Sequence, residues 1–188
     1  MQKIKLISSF VASTVVLCVT TAFSETIAQA PPKVPRPVPL LRAKCVSSGL
    51  GTAREQNLDV SIGRAVYSSQ FYLGPGYRAA SLTCKIKPDN RPQPVFQTLN
   101  LGFGMRDNDT RSPAVQVRVY LDGRQADART VAPAQQALIS LDVSNVSNVG
   151  IEAVCTSQTQ YCDRVYFFNT DLNLPPIVSP QPAPQRKN

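Results

Sequence analysis

Val115-Gln116-Val117-Arg118-Val119-Tyr120-Leu121-Asp122-Gly123 decides the fold class of this chain. Valine and leucine take every second position, and Gln116, Arg118 and Tyr120 fill the places between. Successive side chains of a strand point to opposite faces, so this period of two gives one apolar face and one polar face. Asp122-Gly123 follows at once, the dipeptide that supplies the two positive-φ positions of a tight hairpin turn. A strand and a hairpin are expected here.

The same period spreads in both directions. Leu99, Leu101, Phe103 and Met105 alternate with Asn100, Gly102 and Gly104. Ile139, Leu141 and Val143 alternate with Ser140 and Asp142, and Val149, Ile151 and Ala153 with Gly150 and Glu152. Val165-Tyr166-Phe167-Phe168 is denser, as in a strand covered on both faces. Shorter strand candidates lie at 60–62, 66–68, 71–73 and 81–86, separated by turn clusters such as Gly74-Pro75-Gly76. No segment of ten or more residues carries a helical stripe. About eight short strands of this kind predict two packed antiparallel sheets.

Outside this region the composition changes. Lys3 and Lys5 precede the uncharged apolar stretch 6–19. About fourteen residues is too short for a bilayer span, which takes about 20, and suits a signal peptide over 1–24 cleaved after Ser24. Residues 25–43 and 175–188 are Pro-rich and read as a linker and a tail of polyproline II character. One domain, 44–174, is expected between them, with no membrane span. The net charge of +8 is concentrated outside it: 13 of the 20 basic and 11 of the 12 acidic residues fall within 44–174, leaving +2. A nucleic-acid partner needs a concentrated basic face, so none is expected.

Cys18 lies in the signal segment, which leaves Cys45, Cys84, Cys155 and Cys162. An even number in an exported chain implies disulfides. Structural zinc is disfavoured because the chain has no His and no C-x-x-C knuckle. Of the three pairings, Cys155–Cys162 is favoured by its short loop, which leaves Cys45–Cys84. Loop closure assigns them about 2.5 and 4 kcal/mol respectively.

Four motifs in order carry a resemblance. They are Val95-Phe-Gln-Thr-Leu-Asn-Leu-Gly-Phe-Gly-Met-Arg-Asp-Asn-Asp109, then Val115 to Arg124, then Ile139-Ser-Leu-Asp-Val-Ser-Asn-Val146, then Val149-Gly-Ile-Glu-Ala153. This set resembles the NPCBM-type domain, a family of carbohydrate-binding modules also found attached to glycoside hydrolases. With Gly63 to Tyr67 and Ala80 to Ile86 upstream, the likeness covers 63–174. It implies a galactose-binding-like jelly-roll β-sandwich, in agreement with the period-two reading, and a carbohydrate ligand. The chain departs from the family in lacking tryptophan.

A sugar site needs an aromatic face for the ring and planar polar groups for its hydroxyls. Tyr72 and Tyr77 flank the Gly74-Pro75-Gly76 turn, and Tyr161 lies inside the Cys155–Cys162 loop. Arg106, Asp107 and Asp109 follow the alternating run 99–105. Strands are committed to ladder bonds and core packing, so these six residues are expected on loops at one rim of the sandwich. Tyr67, Tyr120, Phe167 and Phe168 lie within strands and read as packing residues. Asp107 and Asp109 also offer hard oxygen ligands to calcium, but without a full calcium-loop motif, and no metal is assigned. No enzyme is expected. His, the common general base, is absent, four of the five cysteines are expected to be oxidised, and Asp107 and Asp109 read as turn formers before a hydrolytic pair. The expected role is a secreted, periplasmic or cell-surface recognition module whose partner is a glycan. The alternative is a cell-envelope structural or protein–protein module without a sugar site.

Overall fold

The computed structural model describes residues 35–90 and 95–176. The expected signal peptide, the linker up to residue 34 and the tail from 177 lie outside them. The described residues form two sheets, with a single 3-10 turn at Leu40–Arg42. One sheet has the order β3 (Thr52–Ile62), β4 (Ala65–Gly74), β11 (Val165–Asn173), β6 (Thr98–Gly104), β9 (Gln136–Asp142), with β1 (Val38–Pro39) beside β11. The other runs β2 (Lys44–Gly49), β5 (Ala79–Lys85), β10 (Asn148–Cys155), β7 (Val115–Leu121), β8 (Arg124–Val131). Every pairing between named strands is antiparallel. This is the all-β sandwich that the alternation predicts.

The period-two residues do what their spacing implies. Val115, Val117 and Val119 of β7, with Val149, Ile151 and Ala153 of β10, are buried against Leu99, Leu101 and Phe103 of β6. Phe71 and Phe167 stack at 4.4 Å in the same core. The Asp122-Gly123 turn has φ of 46° and 81°, the left-handed pair that a two-residue hairpin needs. Both expected disulfides are present: Cys45–Cys84 joins β2 to β5, and Cys155–Cys162 closes a loop after β10.

The domain boundary expected at 44 is corrected by the structure. Val38 and Pro39 pair with Leu172 and Asp171 of β11, and Leu40 is completely buried in the main core. Prolines dominate the composition of 25–43, but the Leu40-Leu41 pair supplies apolar surface that the sandwich covers. Proline is tolerated because β1 is two residues long and edge-like.

A second, smaller core lies on the outer face of the first sheet. Here β4 pairs with β11 only through 71–73, and the rest of the β3–β4 hairpin folds back over the sheet. Val60, Ile62 and Tyr67 of the hairpin pack on Tyr72, Tyr166 and Phe168. Gly102 makes room: a Cβ there would stand 2.6 Å from the Phe168 ring. The hairpin tip, Gly63 and Arg64, has φ of 61° and 67°, a strained choice for arginine. It is held by the Asp107 carboxylate, which accepts the Gly63 and Arg64 N–H groups at 2.6 and 3.1 Å.

Candidate functional site

Three loops meet at the end of the sandwich where β11 begins: 75–78, 105–114 and 156–164. Hydrogen bonds join them. The Cys162 N–H donates to the Gly76 carbonyl and the Cys155 N–H to that of Arg78, both at 2.9 Å. The Thr156 hydroxyl donates to the Ala114 carbonyl at 2.6 Å, and the Asp163 N–H to the Ser112 hydroxyl at 2.8 Å. With Cys155–Cys162 across the last loop, this rim is fixed in shape before any ligand arrives.

Tyr77 and Tyr161 stand on it, 62% and 54% exposed. Their rings meet edge to face, centroids 5.5 Å apart at 82°. Gly76 takes the left-handed φ of 61° that the turn beside Tyr77 requires, and a Cβ there would make an ordinary 3.5 Å contact with the Tyr161 ring. Two adjacent aromatic side chains left in water bury little surface, so core packing does not account for them.

The same loops carry charged groups. The Arg106 guanidinium donates to Asp109 at 2.8 and 3.4 Å and sits 5.1 Å above the buried Tyr166 ring. Arg164 covers the Tyr72 ring at 4.4 Å. Burial, then the charge of Asp109, pushes the Asp163 carboxyl above the ordinary carboxylate value, against the pull of Arg106 and Arg164. Aromatic faces, planar donors and a carboxylate acceptor are thus gathered at one rim.

Of the six residues expected at this rim, Tyr77 and Tyr161 form one pair and Arg106 and Asp109 another, each on the hydrogen-bonded loops. Tyr72 is a correction. It lies in β4, buried under Arg164 within the outer-face core, because the strand runs on to Gly74. Asp107 is a second: its carboxylate is taken by the hairpin tip and by the Ser61 hydroxyl at 2.5 Å. Both carboxylates are engaged by donors, and for Asp109 the donor is itself a cation. Among the described residues no three His, Cys, Asp or Glu side chains are placed to share a metal. Asp163 and Arg164 were not among the expected residues. Their signal was adjacency to Cys162, since a bridged cysteine fixes the backbone of its neighbours.

The solved structures resembling this one include the CBM51 module of Clostridium perfringens GH95 in complex with methyl-galactose. It is 10% identical with a TM-score of 0.59, over 73% of this chain and 100% of that one. The fold is shared with carbohydrate-binding modules. Two further structures come from Clostridium perfringens ZmpB. CBM51-2 in complex with GlcNAc, with INT domains, matches at 11% identity and TM-score 0.58 over 75% of this chain and 32% of that one. A catalytic domain with CBM51-1 and CBM51-2 matches at 15% and 0.60 over 75% of this chain. The chain spans only 15% of that last structure. At these identities the likeness is one of fold. No family model matches the sequence, and no curated protein matches it.

Proposed function

We propose that the domain is a non-catalytic saccharide-recognition module of an exported protein, and that it binds through the loop rim. The observation that carries this reading is the exposed Tyr77–Tyr161 pair, with Asp163 on the same loop as Tyr161. A pyranose stacks its apolar face on a tyrosine, donates hydroxyl protons to a carboxylate and accepts at its hydroxyl oxygens from guanidinium groups. Asp163, Arg164 and Arg106 supply those groups within the same rim. The module acts without chemistry of its own. The chain has no His, the cysteines described are bridged, and Asp109 is neutralised by Arg106. Two disulfides favour an oxidising compartment, as does the signal-like segment 1–24.

One stacked ring with two or three hydrogen bonds implies an affinity of about micromolar to millimolar Kd. Calorimetric titration with methyl-galactoside and N-acetylglucosamine tests the reading. Tyr77→Ala and Tyr161→Ala are each expected to weaken binding about tenfold or more while leaving the melting temperature unchanged. Unchanged affinity in both variants would remove the rim from consideration. Silence toward both sugars would favour the envelope-interaction alternative.

A further inference from the structure

The outer face of the second sheet holds a glycine that the fold does not require. Gly150 sits in the middle of β10, the central strand of that sheet, where glycine weakens a strand and often marks a close approach by a ligand. Its backbone is not left-handed. A Cβ there would make only ordinary contacts, with Tyr120 Cβ at 3.4 Å and Thr83 Oγ1 at 3.8 Å. Neither conformation nor crowding excludes a larger residue. What the glycine does is open a shallow cleft of about 260 Å³ across β5, β10 and β7.

Tyr120 pairs directly across from Gly150 and leans over it, and its hydroxyl donates to Glu152 at 3.0 Å. Its place within a strand suggested a packing role, but it lies on the polar face of β7 and stays half-buried at the cleft wall. The Ser81 and Thr83 hydroxyls and the Asn148 amide also line the cleft. Glu152 is offset by Arg118 at 3.7 Å, so the pair adds no net charge at the cleft. Hydroxyls, an amide, a shared carboxylate and one aromatic ring complement a neutral polyhydroxylated ligand. The apolar part of the lining, with Ile151 and the Tyr120 ring, suits the ring faces of such a sugar, and the cleft offers little to an anion.

We propose that this cleft is a second saccharide site, taking the interior of a neutral linear glycan. The cleft lies on an open sheet face rather than in an end pocket, so a chain can continue past it on both sides. None of the rim residues lines the cleft, so this site is independent of whether the rim binds sugar.

Affinity electrophoresis of the full chain through gels containing galactomannan, arabinoxylan or hydroxyethyl cellulose tests it. Retardation is expected in at least one gel. It should drop about tenfold or more in Tyr120→Ala and in Gly150→Val, and persist in the Tyr77→Ala/Tyr161→Ala double variant. Valine suits a strand and a Cβ at Gly150 meets only ordinary contacts, so Gly150→Val with an unchanged melt covers the case in which Tyr120→Ala fails to fold. The proposal is overturned by passage through all three gels without retardation. Unchanged retardation in a folded Tyr120→Ala or Gly150→Val also overturns it. So does loss of retardation in the rim variant with retention in Tyr120→Ala, a result that would assign polysaccharide binding to the rim.

Discussion

At the scale of single residues, the rim keeps a carboxylate where the folded protein would prefer a neutral group. Burial and the charge of Asp109 push the Asp163 carboxyl upward, and Arg106 with Arg164 only partly offset them. An acid whose folded pKa is raised contributes most stability below its unfolded pKa, about 4, and that contribution is lost as pH rises through the folded value. At neutral pH the ionised form is therefore a small liability. Asp163→Asn is expected to hold or raise the melting temperature at pH 7, while saccharide binding falls about tenfold. A lower melting temperature with unchanged binding would make Asp163 a structural residue. Asp107 illustrates the opposite sign. The Ser61 hydroxyl, then the Arg64 and Gly63 amides outweighing burial, hold its carboxyl below the ordinary range. Its contribution is present above about pH 4 and disappears as pH falls through the depressed folded value.

Elements show how such residues are used. Asp107 fastens the β3–β4 hairpin over the outer face of its own sheet, so acid should loosen that element before the main core. Hydrogen exchange provides the check. Asp107→Ala is expected to speed exchange of the amides at 60–67 at neutral pH and to leave those of β7 and β10 protected. Equal protection in variant and parent would show the hairpin to be held by Val60 and Ile62 alone. The N-terminal strand makes a stronger demand. Leu40 is completely buried, so Leu40→Ala should cost about 2–5 kcal/mol in urea unfolding. A chain starting at residue 43 should lose at least as much, because it lacks both Leu40 and the β1 pairing. A loss below about 1 kcal/mol would mean that the site collapses around the gap.

Across the whole molecule, what could be read from sequence follows from what alternation encodes. A period of two says which side chains share a face, so the inward residues of β7, β10 and β6 were legible, and Asp122-Gly123 announced its own turn. Alternation does not say what covers the other face. That Tyr166 would be enclosed by a hairpin of its own sheet depended on the partners of Gly102 and on Asp107, which are distant in sequence. The rim was legible in Tyr77 and Tyr161 because turn residues and a bridged loop expose their neighbours. Asp163 and Arg164 were not, since a short charged pair has no period. The β1–β11 pairing has a mechanical consequence. Val38 lies beside Leu172, so the chain enters and leaves the domain side by side, about 25 Å along β11 from the rim. Tension applied through the flanking segments would unzip that two-residue pairing one bond at a time, while the loops that face a ligand carry no load.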